Sequence, residues 1–69
     1  MVEVFKTNVQ EKNEAQEIIN LLMSKFPGSK INFDLHDCDR ILRIESRHVS
    51  AREVVDLVLQ NGFHCDILD

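Results

Sequence analysis

Two cysteines and three histidines are the side chains of this chain best suited to hold a soft metal ion or to act as nucleophile and base. His64 and Cys65 are adjacent in "NGFHCDIL", and Cys38 lies two positions after His36 in "HDCD". A dyad or a metal clamp needs its members on one face, so the value of each pair depends on the element that carries it. Acid pairs such as Asp37/Asp39 and Glu14/Glu17 have no recognisable partner and read as solvated faces. His48, in "SRHVS", reads as a solvated loop residue. With only two glycines, Gly28 and Gly62, there is no glycine-rich loop to cradle a phosphate. No serine–histidine–acid arrangement appears either.

The elements follow from periodicity. "VEVFK" (2–6) is β-branched and aromatic and predicts a strand. "NEAQEIINLLMSKF" (13–26) sets Ala15, Ile18, Ile19, Leu22, Met23 and Phe26 at helical spacing, and Pro27-Gly28 ends that helix. "KINFDLHD" (30–37) alternates, with Ile31, Phe33 and Leu35 on one face and Asn32, Asp34 and His36 on the other. "ILRIES" (41–46) is a further strand, and "DCDR" predicts a tight hairpin turn before it. "SARE" (50–53) matches a capping box. Val54, Val55, Leu57 and Val58 supply the stripe of the second helix, which Asn61-Gly62 terminate. "FHCDIL" alternates again. The order is βαββαβ, which predicts an α+β ferredoxin-like sandwich: a four-stranded antiparallel sheet, order 4-1-3-2, with both helices on one face.

At 69 residues this is one domain, 1–69. Hydrophobic content of 43% beside 29% charged residues is globular. The formal net charge of −4 repels phosphate backbones and argues against nucleic acid as a partner. The apolar runs are too short to span a bilayer, so no membrane partner is expected. No charged segment followed by an apolar one marks a signal peptide, and two cysteines without one suit free thiols in the cytoplasm.

Three stretches resemble one family. "INLLMSKFPGSKINFDL", "RILRIES" and "SAREVVDLVLQNGFHCDIL" are similar to the helix–turn–strand, third strand and closing helix–strand of the heavy-metal-associated domain of copper chaperones and metal-transporting ATPases. The resemblance covers nearly the whole chain and rests on fold signals. It implies a metallochaperone-like fold. It also implies a Cys-x-x-Cys clamp for Cu or Zn between the first strand and first helix. Counting back from Pro27, the positions of that pair hold Lys12 and Ala15, and the loop "TNVQEKNEA" contains no sulfur. The family's metal loop is therefore degenerate here, and no resident cofactor is expected.

Alternation settles the opening pair. Cys65 shares the inward face with Phe63 and Ile67, while His64 points the other way, so the two form no dyad. Cys38, in the hairpin turn, falls at the family's metal end. With His36 and His64 it makes the alternative metal site, for Cu or Zn. His36 and Cys38 alone are too few ligands, and the edge strands stand roughly 14 Å apart, three strand spacings. A stacking RNA-binding face is missing, since Ile41, Arg43 and Glu45 occupy the open side of the third strand. The glycine- and arginine-rich anion loop of an acylphosphatase-like enzyme is missing too.

The expected function is a non-enzymatic binding or interaction module, with a metal carrier as the alternative. The expected core is Ile19, Leu22, Phe26, Phe33, Leu35, Ile44, Val54, Val58, Cys65 and Ile67. In the first strand two faces compete. If Val2 and Val4 point inward, then Phe5, Ile41 and Leu68 form an apolar patch on the open face. That patch would suit an unidentified protein partner or a weak homodimer. The alternative turns Phe5 inward. The missing thiols generate a first prediction. The reduced monomer should form no one-to-one Cu(I) or Zn complex tighter than micromolar on titration. A complex lost in Cys38→Ser would reverse that expectation.

Overall fold

The computed structural model describes residues 1–68. Asp69, the last residue of the expected domain, lies outside the described residues. The elements are β1 (Val2–Thr7), α1 (Lys12–Lys25), β2 (Lys30–Asp34), β3 (Ile41–Glu45), α2 (Ala51–Gln60) and β4 (Cys65–Ile67). The strands form one four-stranded sheet in the order β2-β3-β1-β4, and its three ladders are all antiparallel. This is the ferredoxin-like βαββαβ sandwich that the periodicities predict. Among the described residues, no helix is long and apolar enough to cross a membrane.

The helix ends show why the chain punctuates as it does. At the start of α1 the amide of Glu11 donates to Glu14 Oε1 at 3.1 Å. At its end the amide of Phe26 donates to the Leu22 carbonyl, and Ser29 Oγ donates to the Phe26 carbonyl at 2.6 Å. Between them Gly28 adopts φ 83, a left-handed conformation that a side chain would strain. Ser50 caps α2 by accepting the Glu53 amide, as "SARE" predicts. Asn61 Nδ2 donates to the Leu57 carbonyl at 2.7 Å where that helix stops.

The second strand and its hairpin differ from expectation. β2 ends at Asp34, and residues 35–40 form the connection instead of a four-residue turn. Two aspartates are responsible. Asp34 Oδ1 accepts the amide of His36, and Asp37 Oδ1 accepts the amide of Asp39. Each carboxylate takes a donor that a longer ladder would need. Arg40 closes the connection at φ 48, with its guanidinium donating to the Leu35 carbonyl at 2.8 Å.

The register settles the first strand. Phe5 pairs with Leu42 of β3 and Ile67 of β4, and both Phe5 and Leu42 are fully buried. Phe5 therefore faces the helices, while Val2 and Val4 lie on the open face. A phenyl ring removes more apolar surface from water than a valine, so this facing is the more favourable one. Ile41 stays on the open face, level with Lys6 and Asp34, yet is only 5% exposed. The patch of Phe5, Ile41 and Leu68 thus does not form; of the three only Leu68 is exposed.

The core joins Phe5, Leu42, Ile44 and Cys65 of the sheet to Ala15, Ile18 and Leu22 of α1 and Val54 and Val58 of α2. Val9, in the loop after β1, is also fully buried. Three expected core residues, Ile19, Phe33 and Leu35, are only half-buried. Ile67 is exposed, because β4 is an edge strand whose outer side has no neighbour. Phe5→Ala should accordingly cost about 3–5 kcal/mol in urea unfolding, and Val2→Ser less than about 0.5 kcal/mol. Equal losses would place Val2 in the core.

Candidate functional site

The loop after β1 and the β2–β3 connection meet at one end of the sheet. Thr7 binds them: its amide donates to the Asp39 carbonyl at 3.1 Å, and its hydroxyl donates to the Arg40 carbonyl at 2.6 Å. Thr7 Oγ1 in turn accepts the amide of Val9. This end carries the residues singled out for metal chemistry, but it does not gather them. Cys38 is exposed, and its sulfur stands with carboxylate oxygens of Asp37 and Asp39, all within 4.8 Å of one another. Neither His36 nor His64 belongs to that group. The two carboxylates already serve the turn: Asp37 accepts the Asp39 amide, and Asp39 lies 3.7 Å from the ammonium of Lys6. His64 is at the other side of the sheet, where its amide donates to Asn8 Oδ1 at 2.8 Å.

Lys12 and Ala15 stand in the first turns of α1. Lys12 is exposed, and Ala15 is buried in the core. Both also line a groove of about 380 Å³ between α1 and β2. Gln16 and Ile19 complete its helical wall, and Ile31, Asn32, Phe33, Leu35 and His36 form the other. The groove exists because β2 is an edge strand: the apolar side chains on its helix side meet α1 on one flank only. Ile19, Ile31, Phe33 and Leu35 are therefore half-buried, and apolar surface remains in contact with water. Sequence periodicity identifies these four as inward-facing; it carries no signal that the sheet ends beside them. Lys12 is the one Lys, Arg, Asp or Glu in the lining.

Cys65 is a core residue, 3% exposed. Burial pushes its thiol up to about 12, and the neighbouring charge of Asp66 adds to the rise. The thiolate is the reactive form, so this sulfur is inert near neutral pH. Among the described residues no buried side-chain nitrogen or oxygen lacks a hydrogen-bond partner. No unsatisfied polar group therefore marks a buried reaction centre.

The fold and groove define a small ferredoxin-like α+β domain with an open apolar groove at its β2 edge. Comparison with protein-family models, curated proteins and solved structures gives no match to this chain.

Iodoacetamide at pH 8 should alkylate Cys38 in the native protein and leave Cys65 intact until unfolding, as read by peptide mass. Equal rates would contradict the burial of β4's inward face. Because the fold favours the neutral thiol, this group's contribution to stability is whole below about 9. It is lost as pH rises towards about 12.

Proposed function

We propose that the chain is a non-enzymatic binding and interaction module of the heavy-metal-associated kind, with its metal clamp replaced. The α1–β2 groove is its binding surface. The βαββαβ order supports the kinship, while Lys12 and Ala15, at the positions of the family's cysteines, set the chain apart from its metal carriers. The observation that carries the function is the groove itself. It offers half-buried aliphatic and aromatic side chains on α1, β2 and the start of the connection, interspersed with the polar groups of Lys12, Gln16, Asn32 and His36. Apolar surface kept open in this way contributes to affinity when a partner covers it. Free thiols and an acidic surface suit a protein partner in the cytoplasm.

A second reading, a carrier of Cu or Zn, rests on the group of Asp37, Cys38 and Asp39. One thiolate and two carboxylates are a mixed donor set, and soft ions favour sulfur. Binding there would also compete with the Asx turn and with Lys6.

A phage-displayed library of random octapeptides, selected on the immobilised chain, tests the first reading. Selected peptides should shift the NMR amide signals of Ile19, Ile31, Phe33 and Leu35. They should lose binding at least about tenfold to Ile19→Arg, which puts an unpaired charge in the groove. Leu59→Arg, on the exposed side of α2, should bind as the wild type does. Selected peptides that ignore Ile19→Arg, or that perturb the open face instead, would defeat the proposal.

A further inference from the structure

We infer that the occupant of the α1–β2 groove is a short extended peptide segment. It adds to the outer edge of β2 as a fifth strand and carries a carboxylate at the end marked by Lys12 and His36. The inference rests on the binding function proposed for the groove and names the chemistry of its ligand.

Three observations carry it. The first is shape. The lining runs from Ile31 to Phe33 along β2, continues into Leu35 and His36 of the connection, and runs from Lys12 to Ile19 along α1. At strand and helix rises the regular stretches are roughly 7–10 Å long, the length of two to three extended residues. A trough of that length parallel to a strand fits a chain, not a compact ligand.

The second is the edge. β2 has β3 on one side only, so alternate residues present free N–H and C=O groups outward, directly beside the trough. β2 has five residues, contains no proline and is regular over its whole length. The other edge, β4, has only three residues and is protected by its shortness. An added strand would satisfy the outward groups of β2, and every second side chain would point into the apolar trough.

The third is charge. The chain holds 12 acidic and 8 basic side chains, yet no carboxylate lines the groove. Lys12 and His36 stand at one end of it. Acids near in sequence take backbone donors: Glu14 accepts the Glu11 amide, Asp34 the His36 amide and Asp37 the Asp39 amide, while Glu11 adjoins Lys12 outside the groove lining. The ammonium of Lys12 forms no salt bridge among the described residues. An acidic group on the ligand would supply its counter-charge and fix the polarity with which the segment enters.

The test uses two fluorescein-labelled hexapeptides of alternating leucine and serine, amidated at the C-terminus. They differ only in an aspartate or a lysine at one end. Anisotropy should show the aspartate peptide binding about threefold tighter to the wild type, and the lysine peptide tighter to Lys12→Glu. Methylating alternate backbone nitrogens of the aspartate peptide should remove binding in one of the two possible phases and spare it in the other. Hydrogen exchange at every second amide of β2 should slow in the complex. Equal affinity of the two peptides, or indifference to methylation in both phases, would overturn the inference. So would failure of both hexapeptides while library-selected peptides still shift the groove amides, and in each of these cases the binding function would stand. If the library also yields nothing at the groove, the function itself fails. A concentration-dependent dimer that protects the outer amides of β2 would make a second copy the occupant and would likewise overturn the inference.

Discussion

The burial of Phe5 beneath the helices is the constraint on which the rest of the molecule depends. β1 is a central strand, paired with β3 on one side and β4 on the other. Strand side chains alternate, so one inward ring fixes both faces of the sheet at once. Thr7 follows Phe5 inward and can reach the Arg40 carbonyl. Cys65 is level with Thr7 and becomes core. Leu42 and Ile44 are brought under α1 and α2, and Arg43 and Glu45 are left in water. A slip of one residue would put Lys6 among the valines of α2 and Phe5 in solvent. The order of the sheet then places β2 at the rim, and the groove is the geometric result.

The two ends of chemical interest differ in how their polar groups are used. Around Cys38 the carboxylates hold turns, and the backbone of Asp39 and Arg40 is tied to Thr7. That end is architecture. Along α1 and β2 the half-buried side chains complete nothing inside the domain. In a domain this small each apolar group left in water forgoes burial energy that a thin stability margin could use. The binding function proposed for the groove would recover it.

Much of the fold was legible because local signals agreed with one another. The alternation of Ile31, Phe33 and Leu35, the stripe from Ala15 to Leu22, the cap at Ser50 and the stop at Pro27-Gly28 all point to one topology. Other features were decided by partners that no window of sequence contains. Phe5 and the Val2/Val4 pair satisfy period two equally well, and only the pairing with Leu42 separates them. Asp34 and Asp37 read as ordinary polar positions until their carboxylates draw in amides two residues on, which cut β2 short. Ile67 has the right phase for the core and fails because it stands at a rim. Val9 lies in a loop with no period at all, yet is fully buried. The site suffered the same blindness: its apolar residues were recognisable as inward-facing, but Asn32 and His36 read as open-face positions, and a groove is a property of where a sheet stops.

The bond from the His64 amide to Asn8 joins groups 56 positions apart, and β4 docks on β1 through that same long closure. Closing so long a loop is entropically costly and comes late relative to the hairpin of β2 and β3. During synthesis, β1, α1, β2 and β3 emerge from the ribosome before β4 does. Throughout that interval one side of β1 is a naked edge, with the ring of Phe5 at its centre. The nascent chain therefore carries two unprotected rims, where the finished domain has one long rim and one short one. The surface most open to wrong pairing during synthesis is thus the β1 side of the sheet, opposite the β2 rim.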